Sequence, residues 1–565
     1  MYRYYCQGKQ LQLSKIDFKA QGGEGSIYVK GSTAYKIYSD PRRTLAYAKL
    51  QELALLTESN IVRPLHLLFD KHNQPVGYAM RNVGKTHALC QLFPKAFRQR
   101  NNLTPEMSFG LVRKLQAGVS HIHSKHILLV DLNELNFLVA DDFSELYFID
   151  VDSYQTPSFP ATVLMESVRD RHAKIFTEGS DWFSFAVVSF QMFVGIHPFK
   201  GSYPQLQQVT DKQHRLDARM RANISVLHKG VTVPGSTLPF AVIPSNYLDW
   251  YRAIFEDGKR LPPPNEVRNI IKLSAAIAVP SITSDALLVS EYREFDSQII
   301  WHDAIVTITE HSVYFDGRRF DKPAFDVKLA ISPRQRHLIA SYIEGPRLRF
   351  RDLSNNSEIG DEVEAEGLIS SNGQFFLKQH ESILAVDLIE LQNNLLLGLH
   401  LIANVMMSAT QIFEGVIIQN LLGAKYASVP GRAGACYQIR LTELDSYQIL
   451  NARIERNVLI IVGTAGGRYD KFIYRFADDF ARYVVRTFVD VTTTDINFTV
   501  LDNDIVLDMS DEGKLEIFSR HKGSANVRVL EDPFLQGDVR LFHVGKQAFA
   551  ASGHKLFKIS LKLSN

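Results

Sequence analysis

A change in hydrophobic pattern near residue 280 limits the possible folds of this chain more than any other feature. Before it, strand-like segments give way to helical ones. After it come short apolar segments of strand length, such as A-I-V-T-I-T, H-L-I-A-S-Y-I, S-I-L-A-V-D-L, N-V-L-I-I-V-G and K-L-F-K-I-S-L. Turn signals such as F-D-G-R-R, S-N-G-Q and D-E-G-K divide them. At 565 residues the chain is also too long for one ordinary domain.

The second half of the chain is therefore expected to be all-β. Regular short strands over this length fit a sandwich, a barrel or a propeller. The length favours a β-propeller of about seven blades, because one blade takes ~40 residues. We predict a first domain over residues 1–279, a linker over 280–285 in P-S-I-T-S-D, and an all-β interaction domain over 286–565.

Two helices are predicted in the first domain. Thr104 and Pro105 are suited to the N-cap and first positions of a helix over residues 105–123. Helical spacing places on one face the apolar residues Met107, Leu111, Leu115, Val119 and Ile122. The segment 181–194 is apolar almost all round, which is typical of a buried helix.

Composition narrows the classes of function. Lys plus Arg (63) nearly balance Asp plus Glu (61), so no overall charge draws the chain to nucleic acid or a membrane surface. No signal peptide and no membrane span is expected, since no apolar run is long enough. The three cysteines, Cys6, Cys90 and Cys436, are far apart. They favour a reducing, cytoplasmic location over a disulfide scaffold or a zinc site.

Two segments near the start could bind phosphate. Residues 20–28, A-Q-G-G-E-G-S-I-Y, contain glycines that would let backbone N–H groups approach a phosphate. Lys36 lies on the strand T-A-Y-K-I-Y. Taken alone, the first segment is more often a hairpin turn of small residues than a phosphate site, and a lone strand lysine usually faces water.

Two later segments carry polar groups among apolar residues. Asp131 and Asn136 lie in H-I-L-L-V-D-L-N-E-L-N-F-L-V, and carboxylates are rarely buried without a partner or a task. Asp150 and Asp152 follow four apolar residues in L-Y-F-I-D-V-D-S-Y-Q. Acidic groups at such a strand end often hold a metal, although they can merely cap a turn.

In this order and spacing, the four segments resemble the eukaryotic-like protein kinase family, in a divergent branch of bacterial type. The glycine motif G-x-G-x-x-G-x-V falls on Ala20, Gly22, Gly25 and Ile27, with Ala20 in place of the first glycine. Lys36 matches the lysine of V-A-I-K.

The catalytic-loop motif H-R-D-L-x-x-x-N becomes L-V-D-L-N-E-L-N, which keeps the five-residue step from Asp131 to Asn136. D-F-G becomes D-V-D, with Asp150 as the metal-binding aspartate.

The resemblance extends over roughly residues 10–279. The segment S-D-W-F-S-F-A-V-V-S-F-Q-M-F-V-G-I-H-P-F is similar to the kinase helix D-x-W-S-x-G and the G-x-x-P-F that follows it. There Asp181 would anchor the catalytic loop from below. In E-D-G-K-R-L-P-P-P, Arg260 would pair with Glu166, the candidate for the glutamate of A-P-E.

The family resemblance implies a bilobal α+β domain and an ATP- and Mg²⁺-dependent serine/threonine protein kinase. Lys36 would hold the α- and β-phosphates, and a helical glutamate would hold Lys36. Glu52 has the E-x-x-x-L spacing for this, with Glu58 as the alternative. Asp131 would orient the substrate hydroxyl and accept its proton.

The resemblance also implies the residues that hold the metal and the nucleotide. Asn136 and Asp150 would hold Mg²⁺. The backbone of residues 22–25 would cover the phosphates, and residues 81–84 would form a hinge that hydrogen-bonds adenine. The nucleotide-binding set implied is Gly22, Gly23, Gly25, Ile27, Lys36, Glu52, Met80 and Asn82.

Departures from the family pattern leave other functions open. Val130 replaces the arginine that pairs with a phosphorylated activation loop, so control of that kind should be absent. Asn133 replaces the catalytic-loop lysine, and Asp152 replaces the D-F-G glycine. A pseudokinase that binds nucleotide and a protein partner without transfer is one alternative. A small-molecule phosphotransferase of the aminoglycoside or choline kinase type is another, but the helix at Asp181 favours a protein kinase. The second domain would bind a protein partner or the substrate.

Overall fold

A computed structural model divides the chain into two compact units. The first contains Met1–Ala275, Thr464–Tyr469 and Val489–Thr494, and the second contains Ala276–Gly463, Asp470–Phe488 and Asp495–Asn565. The structure describes residues 2–161, 165–206, 212–265, 284, 286–324, 326–334, 337–345, 347–360, 363–371, 373–391, 395–431, 434–520 and 527–562. Apart from Ser284, the predicted linker lies outside these residues.

The first unit begins with a seven-stranded antiparallel sheet of order β2-β1-β6-β7-β5-β4-β3. Its strands are β1 (Tyr2–Cys6), β2 (Lys9–Leu13), β3 (Phe18–Gln21), β4 (Gly25–Lys30), β5 (Thr33–Tyr38), β6 (His66–Phe69) and β7 (Pro75–Arg81). A small second sheet of order β10-β9-β8 contains β8 (Thr86–Ala88), β9 (Phe137–Ala140) and β10 (Leu146–Phe148).

The helices of the first unit follow mainly after the large sheet. They are α1 (Tyr47–Leu53), α2 (Lys95–Arg100), α3 (Pro105–Ser124), α4 (Glu178–Val194), α5 (Lys212–Ala222) and α6 (Ser245–Phe255). Both predicted helices are confirmed. Thr104 accepts a hydrogen bond from the Met107 amide at the start of α3, and every residue of α4 from Asp181 onward is buried. No helix in the described parts of the chain combines the length and apolar character that a membrane crossing needs.

The part of the chain after residue 286 is built from strands, as predicted. Among its described residues they form seven antiparallel sheets. The first sheet contains β11 (Leu287–Glu294) and the last three strands of the chain, whose bounds are β37 (Arg540–Val544), β38 (Gln547–Ser552) and β39 (Lys555–Leu561). The next three sheets contain β12 (Ile299–His302), β13 (Val306–Thr309), β14 (Ser312–Phe315) and β15 (Arg318–Asp321); β16 (Lys328–Ile331), β17 (Leu338–Glu344), β18 (Arg347–Asp352), β19 (Ser357–Glu358) and β20 (Val363–Glu364); and β21 (Gly367–Ser371), β22 (Gln374–Gln379), β23 (Ser382–Glu390) and β24 (Leu395–Asn404).

The remaining three sheets have four strands each. They contain β25 (Thr410–Ile412), β26 (Ile417–Leu421), β27 (Ala424–Pro430) and β28 (Cys436–Arg440); β29 (Gln448–Glu455), β30 (Val458–Ala465), β31 (Arg468–Phe476) and β32 (Tyr483–Phe488); and β33 (Phe498–Val500), β34 (Ile505–Met509), β35 (Leu515–Ser519) and β36 (Arg528–Leu530).

The sheet that contains the first and last of these strands has the order β11-β39-β38-β37. Strand β11 pairs antiparallel with β39 from Leu287 opposite Leu561 to Glu294 opposite Lys555. The all-β character predicted for this region is thereby confirmed. A closed propeller and the number of its blades stay predictions.

Candidate functional site

The face of the large sheet around Lys36 follows from the two-residue repeat of β5. Ala34, Lys36 and Tyr38 alternate with less buried neighbours, so these three side chains share one buried face. Strand β7 lies beside β5 with Tyr78 opposite Lys36. Gly77 permits this approach, because a Cβ atom there would stand 2.0 Å from the carbonyl oxygen of Lys36.

Lys36 is 5 % exposed and pairs with three carboxylates. Its Nζ lies 2.5 Å from Asp150 Oδ1, 2.9 Å from Asp152 Oδ2 and 3.1 Å from Glu24 Oε2. Burial lowers the pKa of Lys36, but Asp152 and Asp150 raise it by more, so it stands well above its ordinary value. Lys36 is therefore a fixed cation.

The pairing expected between Lys36 and Glu52 is wrong. Glu52, on α1, accepts a hydrogen bond of 3.3 Å from the Ser158 amide, and the alternative, Glu58, lies 3.6 Å from His121 Nδ1. Lys36 already has its carboxylates from a loop of the sheet and from residues 150–152. Helix α1 contributes Lys49 instead, whose Nζ donates to the backbone carbonyl of Asp152 at 2.7 Å.

Asp152 is the most fully bonded carboxylate of the site. The hydroxyls of Tyr38 and Tyr78 each donate to it at 2.6 Å, one to Oδ2 and the other to Oδ1. Lys36 donates to both oxygens, at 2.9 and 3.1 Å. Burial raises the pKa of Asp152, but these donors outweigh burial and hold it below its usual range. We call Lys36, Glu24, Asp150, Asp152, Tyr38 and Tyr78 the lysine cluster.

Asp150 differs from Asp152 in exposure and backbone shape. It has φ of 60° and ψ of 31°, in the left-handed region, just before a short 3-10 turn over Val151–Ser153. Its side chain is 30 % exposed. Burial and the nearby charge of Asp152 raise the pKa of Asp150, while Lys36 lowers it by less. One carboxylate oxygen from each of Glu24, Asp150 and Asp152 lies within 4.8 Å of the others.

Asp181 anchors the loop of residues 129–136 after α3, as expected, and we call this loop the Asp131 loop. Asp181, 1 % exposed at the start of α4, accepts from the amides of Leu129 at 2.8 Å and Val130 at 2.9 Å. His123 Nε2 lies 2.9 Å from the same carboxylate. Val130 has φ of +62°, which is unusual for a β-branched residue. The two amide hydrogen bonds hold the loop in this strained shape.

Asp131 and Asn136 are brought together by this loop. Asn136 Nδ2 donates to the Asp131 carbonyl at 2.9 Å and to Asp131 Oδ2 at 3.2 Å. The backbone amide of Met165 donates to Asp131 Oδ1 at 2.6 Å. Burial raises the pKa of Asp131, against the lowering effect of these donors. Asn133, at the position of the family's lysine, donates to the Asp131 carbonyl at 3.2 Å.

The glycines between β3 and β4 have different surroundings. A Cβ atom on Gly25 would stand 2.2 Å from the Ile37 carbonyl oxygen, so this glycine is required by the β4–β5 pairing alone. Gly22 and Gly23 are exposed, and their Cβ positions meet nothing within 4 Å. Ile27 lies opposite Lys36 in the sheet. Binding of phosphate by this loop stays a prediction.

The predicted adenine hinge follows the end of β7. Met80 pairs with Ala34, and Asn82 continues the edge by donating its amide to the Ser32 carbonyl at 2.9 Å. The Asn82 side chain donates to the Gly31 carbonyl and accepts from the Gly84 amide. Contact between this segment and a nucleotide stays a prediction.

The pairing expected between Arg260 and Glu166 is also wrong. Arg260 pairs with Asp170, through Nε at 2.5 Å and a terminal nitrogen at 2.7 Å. Glu166 is mostly exposed and lies within 2.8 Å of Arg171. Asp170 is nearly fully buried and its donors outweigh burial, so its pKa is lowered. The half-buried guanidinium of Arg260 therefore pairs with the buried carboxylate of Asp170 rather than with the exposed one of Glu166.

Comparisons with known proteins were made for family, sequence and structure. No protein-family model and no curated protein matches the chain. Among solved structures, the kinase PK-1 of Cydia pomonella granulovirus is similar, with 13% identity and a TM-score of 0.33; the match covers 44% of this chain and 90% of that one. In the first unit, Lys36 lies on β5 of the antiparallel sheet, and Asp131 and Asn136 lie in the loop that follows α3.

Proposed function

We propose that the chain is a protein kinase that transfers the γ-phosphoryl group of ATP to a serine or threonine hydroxyl. The observation that carries this proposal is the gathering of four groups from three separate segments of the chain. Lys36 contacts Asp150, and Asn136 contacts Asp131. The two pairs are joined through the backbone, because the Ile149 amide donates to the Asn136 carbonyl at 3.0 Å.

The side chains available fit a magnesium ion. Asp150 offers a partly exposed carboxylate, and Asn136 uses its Nδ2 toward Asp131, which leaves its amide oxygen for a cation. Carboxylate and amide oxygens are ligands that Mg²⁺ prefers. Bound there with ATP, Mg²⁺ would neutralise charge on the phosphates.

The residues of the chain would position the reactants. Lys36 would turn from Glu24 and Asp150 toward the α- and β-phosphates, and the exposed loop at Gly22 and Gly23 would cover the phosphates. Asp131 would hold the substrate hydroxyl in line and accept its proton. The hydroxyl oxygen forms a bond to the γ-phosphorus, the bond from that phosphorus to the β,γ-bridging oxygen breaks, and ADP leaves with the electron pair.

The test is phosphate transfer by the purified full-length chain with MgATP and a mixture of protein acceptors, followed by mass spectrometry of Ser and Thr sites. Asp131→Asn should lower transfer roughly 10³-fold or more with little change in nucleotide affinity. Asp142→Asn, at an exposed turn residue outside the site, is the matched control and should transfer at the normal rate. Full transfer by Asp131→Asn would remove the proposed mechanism.

A pseudokinase is the second candidate, and one contact favours it. The Met165 amide occupies Asp131 Oδ1, the position that a substrate hydroxyl would need. Asn133 also lacks the charge of the family's lysine. Nucleotide binding without transfer to any acceptor, in wild type and Asp131→Asn alike, would favour this candidate.

For the second unit we propose a β-propeller that binds a protein partner or the substrate. Its seven sheets among the described residues, and the pairing of β11 with β39, support that architecture. Co-purification with partner identification, using the full chain with and without residues 286–565, is the test. A partner retained by the shorter chain would assign binding to residues 1–285.

A further inference from the structure

The carboxylate of Asp152 has its hydrogen-bonding capacity filled. Two oxygens of a carboxylate offer about four acceptor positions. Lys36 takes one on each oxygen, Tyr78 takes a second on Oδ1 and Tyr38 a second on Oδ2. The side chain is 4 % exposed. A metal ion could coordinate Asp152 only by displacing one of these buried donors, and a displaced tyrosine hydroxyl would then lack a partner.

Asp150 contrasts with Asp152 although it is only two residues away. It contacts Lys36 through Oδ1 and its side chain is 30 % exposed. Exchange of the Lys36 contact for a metal would leave no buried hydroxyl unpaired at Asp150. The two carboxylates of D-V-D are therefore suited to different tasks.

We propose that Asp152 is the positioning residue that aims Lys36, in the place where the family uses a helical glutamate, and that it is not a metal ligand. The proposal rests on the proposed kinase function. The donors that hold Asp152 come from strands, Tyr38 on β5 and Tyr78 on β7. The backbone of Asp152 is held by Lys49 of α1.

This arrangement removes the usual dependence of the lysine on a mobile helix. In kinases whose lysine pairs with a helical glutamate, rotation of that helix breaks the pair and stops activity. Here Lys36 and both tyrosines belong to one sheet, so the pair with Asp152 forms without any carboxylate from α1. A partner that moved α1 would act on Lys49 and the backbone of residue 152, not on a lysine–glutamate pair.

The first experiment compares Asp152→Asn with Glu52→Gln in the full-length chain. An asparagine keeps the size but cannot accept from all the donors, so the aim of Lys36 is lost. We expect the KM for ATP to rise roughly 10- to 100-fold in Asp152→Asn, with a fall in kcat. Glu52→Gln should match wild type in both. A loss in Glu52→Gln with none in Asp152→Asn would overturn the proposal.

The second experiment separates a positioning role from metal binding. Activity and nucleotide binding are measured against Mg²⁺ concentration at saturating ATP. Asp150→Asn should raise the Mg²⁺ concentration needed for half-maximal effect, and Asp152→Asn should leave it unchanged. A matching rise in Asp152→Asn would make Asp152 a metal ligand and overturn the proposal.

The tyrosines provide milder variants if Asp152→Asn fails to fold. Tyr38→Phe and Tyr78→Phe each remove one hydroxyl and keep the ring. Each should raise the KM for ATP severalfold, and together they should approach Asp152→Asn. If wild type transfers no phosphate, the kinase function fails, and the same variants are compared by binding of a fluorescent ATP analogue. Unchanged binding in all of them would overturn the role of Asp152 on its own.

Discussion

The lysine cluster and the Asp131 loop each contain a buried aspartate. The two environments shift the pKa of that aspartate in opposite directions. Asp152 receives charged and hydroxyl donors on both oxygens, and its pKa is lowered. Asp131 receives an amide on each oxygen, and burial raises its pKa. Although the two carboxylates are similarly buried, Asp152 is therefore held as an anion, whereas Asp131 is better able to take a proton.

The contrast between Asp152 and Asp131 shows that the strength of the hydrogen-bond donors, more than burial, sets the role of a carboxylate. A cation and two hydroxyls offset the cost of burying Asp152, whereas amides only partly offset it at Asp131. The anion of Asp152 suits the aiming of Lys36. The raised pKa of Asp131 suits proton acceptance. Four substitutions test how donors and burial set the roles of these carboxylates.

Removal of the Asp181 carboxylate, which anchors the Asp131 loop, should reduce stability most. Asp181→Ala leaves the Leu129 and Val130 amides without their buried acceptor and removes what holds the strained Val130. We expect a loss of about 3–5 kcal/mol in the free energy of unfolding. Calorimetry of the full chain measures it, with Asp249→Ala at an exposed position of α6 as control. A loss as small as in the control would show that the loop holds its shape without Asp181.

Displacing the strand under the lysine cluster should come next. Gly77→Ala puts a Cβ atom into the Lys36 carbonyl, so β5 or β7 must shift. We expect the free energy of unfolding to fall by about 1–3 kcal/mol and ATP binding to weaken. Gly110→Ala is the matched control, because its Cβ lies on the exposed side of α3 and meets no atom within 4 Å. This substitution should raise the free energy of unfolding by up to ~1 kcal/mol, because alanine favours a helix more than glycine does. Wild-type ATP affinity in Gly77→Ala would mean that Lys36 keeps its aim when its strand moves.

A carboxylate outside the site tests the rule about donors. Asp170 is held by Arg260 and has a lowered pKa, so its contribution to stability is present above its unfolded pKa of about 3.9. That contribution is lost as pH falls through the folded value. Asp170→Asn should therefore cost about 1–3 kcal/mol at neutral pH, and the difference from wild type should shrink below about pH 4.

Denaturant unfolding from neutral pH to about pH 2.5 measures this difference. Glu166→Gln, at the exposed glutamate first matched to Arg260, should change stability by less than about 1 kcal/mol at every pH. If Glu166→Gln lost more stability than Asp170→Asn, Glu166 rather than Asp170 would be the partner of Arg260.

The smallest effect is expected at the third carboxylate of the lysine cluster. Glu24 pairs with Lys36 from the glycine loop and must give way when phosphates approach. Glu24→Gln should therefore tighten MgATP binding roughly two- to fivefold, measured by calorimetric titration. Weaker binding would instead make Glu24 a supporting ligand of the nucleotide or metal.

Spacing in the sequence could predict that Asp131 and Asn136 meet, because their contact is made within one loop. The two residues are only five apart, and the apolar pattern also indicated the helix whose first turn contains Asp181. The lysine cluster could not be predicted in this way. Its contacts join β5, β7 and residues 150–152, and nothing local indicates that both tyrosine hydroxyls point at Asp152.

One signal for part of the cluster was present in the sequence. The two-residue repeat of T-A-Y-K-I-Y places Tyr38 on the face of Lys36, so a polar partner nearby could have been expected. The choice of Asp170 over Glu166 by Arg260 depends on burial, which spacing does not report. In the second half, turn signals marked the strands well, but the sheet partners of β11 required the structure.

The pairing of β11 with β39 has a consequence for how the protein is made. In their sheet β11 has β39 as its neighbour, yet about 260 residues separate the two strands along the chain. At ~5–20 residues per second, a ribosome takes on the order of tens of seconds to cover that distance. Throughout that interval the nascent β11 has an open edge, which makes it a target for chaperones and for aggregation. A chain truncated before residue 555 would lack β39, so the edge of β11 that pairs with it would stay unpaired.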